Sequence, residues 1–152
     1  MHVELMRDHD GLRVLMREFA QAMDRAGSDE VAQISRLRVQ FSQRFREHMG
    51  REDAYVRALR GRMLPPSTDK LIRHHNRALV ALFLRYSDHI KYWTSAQIVA
   101  DWQEYRLAVL ALQDGLYDKM EWEEAYLHPL LDGGASTGGL TGPIRLHRNC
   151  HP

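Results

Sequence analysis

Residues 48–59 read HMGREDAYVRAL and residues 119–130 read KMEWEEAYLHPL, so that Met, Glu, Ala, Tyr and Leu recur at the same offsets. In the first copy His48 stands four residues before Glu52; in the second Lys119 stands four residues before Glu123. Residues at i and i+4 lie on one face of a helix and reach a common point, so a His–Glu pair at this spacing can grip a metal ion. Each copy closes a long stripe of apolar residues at helical period. The first continues Val31, Ile34, Leu37, Phe41 and Phe45 and runs on to Tyr55/Val56 and Leu59. The second continues Ile98, Trp102, Tyr105, Val109, Leu112 and Leu116 and runs on to Tyr126 and Leu130. Polar pairs set into apolar stripes of this length point to helices that bring ionisable groups into a core.

Two further stripes complete the pattern. One runs from about residue 3 to 26 through Leu5, His9, Leu12, Leu15/Met16, Phe19 and Met23, and stops at Gly27; Ser28 and Asp29 are the N-cap candidates for the helix after it. The other begins near Ser67 or Thr68, after Pro65 and Pro66, and carries Leu71, His75, Leu79, Leu82, Tyr86, Ile90 and Trp93. The last helix is expected to begin near Ser95 and to end at Pro129. Strand signals are absent, and short breaks favour antiparallel neighbours. The expected fold is all-α, an antiparallel up-down-up-down four-helix bundle over residues 1–131. Residues 132–152 form a glycine-rich, flexible tail, whose His147, Cys150 and His151 read as adventitious metal contacts.

The chain has 152 residues, enough for one domain with a core of its own. Its 21 Lys plus Arg against 20 Asp plus Glu give a net charge of +1, which argues against a nucleic-acid partner. The lone cysteine, Cys150, offers no internal disulfide, and the charged N-terminus and lack of a long apolar run imply no membrane span. A cytoplasmic protein is expected.

In an up-down-up-down bundle the starts of the first and third helices share an end with the finishes of the second and fourth. His9, His48, Glu52, His75, Lys119 and Glu123 then all lie about 9 to 15 Å from that end. Burying so many ionisable groups is tolerable only with a metal or a full set of hydrogen bonds. Imidazole and carboxylate donors suit iron, manganese or zinc, and His9, His48 and Glu52 have the composition of a mononuclear non-haem iron triad. His74 competes with its neighbour His75 for the inward place. His89 lies about 21 Å further along the axis, too far to join. His2 and His128 read as surface residues. Tyr55 and Tyr126, at matching places in the repeat, are candidates to shape the pocket or to bond a ligand carboxylate. Exposed Trp93 or Trp102 would favour a homodimer.

The motifs DHDGLRVL around His9, FREHMGRED around His48 and Glu52, HHNRAL around His75 and MEWEEAYLHPLL around Glu123 occur in that order. Together they resemble the hemerythrin-like HHE cation-binding domain, over residues 3–131. The resemblance implies a bundle with a di-iron centre, its ligands falling on His9, His48, Glu52, His75 and Glu123. A further family histidine falls on Lys119. Three readings of Lys119 follow: its ammonium replaces a metal ion between Glu52 and Glu123, its head bends to solvent and leaves a mononuclear site, or it ligates metal as the neutral amine. The implied cofactor is iron, mononuclear or di-iron, or partly or wholly lost. The leading function is iron binding with a diatomic ligand such as oxygen or nitric oxide, in a sensing or storage role. The alternatives are a di-iron-type oxidoreductase or peroxidase, and a metal-free bundle that acts through protein association.

Overall fold

The computed structural model describes residues 2–25 and 31–133. Among them every regular element is a helix: α1 His2–Arg25, α2 Val31–Arg60, α3 Pro66–Tyr92, α4 Ser95–Ala100, α5 Trp102–Trp122 and α6 His128–Gly133, with a π-helical turn Glu123–Leu127 joining α5 to α6. The expected caps at Ser28 and Asp29, the stop at Gly27 and the tail histidines and cysteine lie outside the described residues. No helix among those described is long and apolar enough to cross a membrane.

The helix boundaries follow local chemistry. Pro65 caps α3 and Pro66 is its first residue, so the double proline starts this helix as well as separating it from α2. A proline loses nothing at a position whose N–H has no intrahelical partner, and its fixed φ is already helical. Thr94 caps α4, its Oγ1 accepting from the Gln97 N–H at 3.2 Å. The single helix expected from Ser95 onward is broken at Asp101, whose φ of −130° and ψ of 57° leave the helical region. Beyond that break α5 carries the stripe Tyr105, Val109, Leu116 and Met120 into the core.

Three apolar clusters run along the interior. Leu15, Phe19, Met23, Ile34, Trp93, Ile98 and Tyr105 pack at one end. Leu12, Met16, Phe45, Leu82, Leu116 and Met120 form the middle layer, and Leu5, Val56, Leu59, Ile72, Leu127 and Leu131 the layer at the other end. Removing such side chains from water contributes about 1.5–3 kcal/mol each. The α3 stripe is rotated from the sequence expectation. Ile72 rather than Leu71 is buried, and Ile90 is 37% exposed. Trp93, the last residue of the expected stripe, is buried against Tyr105 at 5.3 Å and is not available for pairing. Contacts between helices include Glu4 with Tyr55, Asp8 with Arg51, Asp24 with Arg106, Ser42 with Tyr86, and His75 with Lys119.

Candidate metal centre

Between the middle and end layers the core turns polar. α1 supplies His9, α2 supplies His48 and Glu52, the π-helical turn supplies Glu123, and all four are buried. Each offers one ligand atom, and these four atoms lie within 4.8 Å of one another. His9 Nε2 is 3.1 Å from His48 Nε2 and 3.3 Å from Glu123 Oε1, while His48 Nε2 is 3.3 Å from Glu52 Oε2. Donors about 2.0–2.2 Å from one ion are separated by roughly 3.0–3.5 Å along the edges of its coordination polyhedron. These three spacings are of that size.

The outward faces of both imidazoles meet carboxylates, and each carboxylate is held by an arginine. His48 Nδ1 is hydrogen-bonded to Asp8 Oδ2 at 3.1 Å. Arg51 donates to both oxygens of Asp8, at 2.8 and 2.5 Å. His9 Nδ1 faces Glu124 Oε1 at 3.3 Å, and Arg13 grips Glu124 through two nitrogens at 2.8 and 2.6 Å. Bidentate charge-assisted bonds of this kind fix the carboxylate in place. A carboxylate at Nδ1 in turn fixes the ring's orientation and leaves the Nε2 lone pair pointing inward. The two Nε2 atoms are 3.1 Å apart, a spacing that either a proton shared between the rings or a cation held by both can bridge. Glu52 Oε2, in the same pocket, faces His48 Nε2 at 3.3 Å and His128 Nε2 at 3.6 Å.

On the other side of the carboxylates stands Lys119. Its Nζ is 2.6 Å from His75 Nδ1, 3.3 Å from Glu123 Oε2 and 4.6 Å from the centre of the Trp122 ring. His75 Nε2 faces Glu52 Oε1 at 3.4 Å. The lysine head therefore sits inside the polar core with its side chain only 10% exposed. Its ammonium is offered a ring face, a carboxylate and an imidazole nitrogen.

The ionisation of the cluster is set first by burial and then by its neighbours. Burial, with the carboxylate of Glu52 beside it, pushes Glu123 well above the usual carboxylate range. Burial pushes Glu52 the same way, but bonds from His128, His48 and Glu123 outweigh it and hold Glu52 low. Burial and the neighbouring His48 and His128 lower His9 to about 4. Burial and Lys119 lower His75 to about 4. Burial also lowers Lys119, against the pull of Glu123 and Glu52. For His48 the desolvation is overcome by Glu52 and Asp8, and its basicity rises.

Of the residues singled out in the sequence, His9, His48, Glu52 and Glu123 come together, and His75 and Lys119 lie against them. His74 is exposed and rests on Trp122, so His75 takes the inward place. Tyr55 and Tyr126 are not brought to the cluster. The Tyr55 hydroxyl donates to Glu4 at 2.9 Å, and Tyr126 is 56% exposed with its ring against Trp122. His128, expected at the surface, is buried, 4.9 Å from the His9 ring and with Nε2 3.6 Å from Glu52 Oε2. The π-helical turn explains both differences. One extra residue per turn shifts the phase after Glu123, carrying Tyr126 out and His128 in. Pro129 inside the stripe is the one sequence signal that points to such a turn. The residues missed altogether are Asp8, Arg13, Arg51 and Glu124, whose pairings cross between helices.

No family model, curated protein or solved structure matches the chain. The described residues define an all-helical protein with a buried histidine–carboxylate cluster close enough to hold a metal ion.

Proposed function

We propose that this is a hemerythrin-like metal-binding protein whose centre holds one non-haem iron ion and binds a small diatomic ligand such as oxygen or nitric oxide. The four long segments, α1, α2, α3 and α5 continued into α6, form an antiparallel up-down-up-down bundle. That arrangement is supported by the pairings of Glu4 with Tyr55 and Asp8 with Arg51, which descend one helix as they climb the other. His9, His48, Glu52 and Glu123 hold the ion, and His128 stands beside them as a further donor. Two imidazoles with carboxylates suit iron among the borderline metals. When bound there, the metal would supply the Lewis-acid chemistry to which a diatomic ligand responds.

The observation that carries this reading is the convergence of two imidazole Nε2 atoms 3.1 Å apart. The pair is backed by Arg51–Asp8 on one side and Arg13–Glu124 on the other. A histidine held only for packing has no need of an arginine-anchored carboxylate. Of the three readings of Lys119, the contacts favour the first. Its ammonium stands where a second cation would, against His75 and Glu123.

The test is anaerobic iron(II) loading of the metal-stripped chain, followed by metal analysis and by spectra before and after exposure to oxygen or nitric oxide. About one iron per chain is expected, with a visible absorption band that responds to the gas, and loss of both in His48→Ala. Iron content no higher in the wild type than in His48→Ala, with both proteins folded, would sink the proposal.

A further inference from the structure

Toward the end of the molecule away from His9 and His48, an apolar cavity of about 60 Å³ opens between α1, α2, α3 and α5. Its walls include Met16, Phe19, Phe41, Leu82, Val109 and Leu116. Five polar side chains interrupt this carbon surface, and three of them, Tyr105, Arg38 and His89, meet at one place. The hydroxyl of Tyr105, a residue with no exposed surface, has no hydrogen-bond partner. Arg38 is half-buried with its guanidinium carbon 6.0 Å from the centre of the Tyr105 ring, and it makes no ion pair among the described residues. His89 stacks on the same ring at 5.8 Å. The other polar side chains of the wall are occupied. Tyr86 is hydrogen-bonded to Ser42, and Gln113 donates to the Met16 carbonyl.

A buried hydroxyl without a partner is costly, and the half-buried Arg38 beside it has a guanidinium free to receive an anion. Both groups are donors, and the lining holds no carboxylate to receive them. What is missing is therefore an acceptor carrying one negative charge. From Arg38 to Phe45 the cavity follows seven residues of α2, a length of about 10 Å. Its small volume over that length makes it narrow, fitted to a single chain rather than a ring. We propose that this cavity is a second ligand site, taking an unbranched aliphatic monocarboxylate with its chain along the carbon walls and its carboxylate on Arg38 and the Tyr105 hydroxyl. Burial and the adjacent Arg38 lower His89 to about 4, so at neutral pH its ring is uncharged and adds no second positive charge. A dianion would leave one charge unmatched. A neutral alcohol would leave Arg38 unmatched.

The site is independent of the metal reading, and its test is run on the full chain stripped of metal by dialysis. Hexanoate is titrated by calorimetry and by ligand-observed NMR, with hexan-1-ol as the uncharged partner. Saturable binding of one hexanoate per chain is expected, about tenfold tighter than the alcohol. Arg38→Gln should bring hexanoate down to the level of the alcohol. Arg38 lies at the edge of the core, so this variant keeps the fold, which circular dichroism checks. Tyr105→Phe should weaken the acid in the same sense. No saturable binding of hexanoate up to about 10 mM, equal affinity for acid and alcohol, or undiminished hexanoate binding by Arg38→Gln would each overturn the proposal.

Discussion

At the scale of single residues, the proposed metal reading turns on Lys119, which would set how much metal the core accepts. Its Nζ occupies the space between His75 Nδ1 and Glu123 Oε2, 2.6 and 3.3 Å away, and an ammonium there excludes a second cation by charge and by volume. Lys119→His removes that charge and offers an imidazole beside His75 and Glu123. Bound iron should then rise from about one toward two per chain, measured after the same anaerobic loading. Equal iron in the two proteins would show that the lysine does not block the second position. A second residue, Asp8, acts through His48. Asp8→Asn keeps the shape but weakens the grip on Nδ1, and should lower metal affinity about 10–100-fold with helix content unchanged. Unaltered affinity would mean that Asp8 serves only Arg51. Lys119 was legible in the sequence because the repeat supplied its own reference, His48. Asp8 and Glu124 were not, because what gives them meaning is an arginine on another helix or far along the chain, and spacing within one helix carries no information about that pairing.

At the scale of elements, the π-helical turn is the feature that the period of 3.6 could not foresee. Aligning the two copies places Tyr126 with Tyr55 and Leu130 with Leu59, yet the buried residues after Glu123 are Leu127, His128 and Leu131. Val56 and Leu59 follow Glu52 by four and seven; His128 and Leu131 follow Glu123 by five and eight. Leu127 keeps the place of Val56, but one residue has been added to the turn, and His128 and Leu131 are buried one place later than the repeat predicts. Pro129 gives the physical reason. In a regular helix its ring would collide with the carbonyl four residues earlier and its missing N–H would break the ladder, at a cost of about 3 kcal/mol. The wider turn, closed by the His128 N–H on the Glu123 carbonyl, relieves that collision and lets helix resume as α6 where a stop was expected. Deleting exposed Ala125 restores a regular spacing with His128 and Leu131 still inward, but returns Pro129 to the interior of an α-helix. The single deletion should therefore lose about 3 kcal/mol in denaturant unfolding, and adding Pro129→Ala should recover most of it. A deletion that costs nothing alone would remove proline as the cause of the turn.

At the scale of the whole molecule, the helical class and most of the core stripe were legible because apolar periodicity is a property of each helix alone. The break at Asp101 and the rotation of α3 were not, because they depend on how helices meet. The same meeting buries His89 far from His9 and His48, between Tyr105 and Trp93, with Arg38 the charge that bears on it. Desolvation, and then Arg38, hold its folded value near 4 against about 6.5 for an exposed imidazole. Between those two values the unfolded chain binds a proton at this position and the folded chain does not. Stability therefore rises with pH across that window, and the share owed to His89 is complete above about pH 6.5 and lost as pH falls toward 4. His9 and His75 are displaced in the same direction and add to the acid sensitivity of the metal-free chain. The contribution of His89 is isolated by comparison with His89→Phe, which keeps a ring against Tyr105 and cannot be protonated. With both proteins metal-free, the wild type should lose more Tm between pH 7 and pH 4.5 than His89→Phe, and the two curves should run parallel above about pH 7. Curves parallel over the whole range would mean that His89 is charged in the folded chain, with water or an anion reaching it beside Arg38.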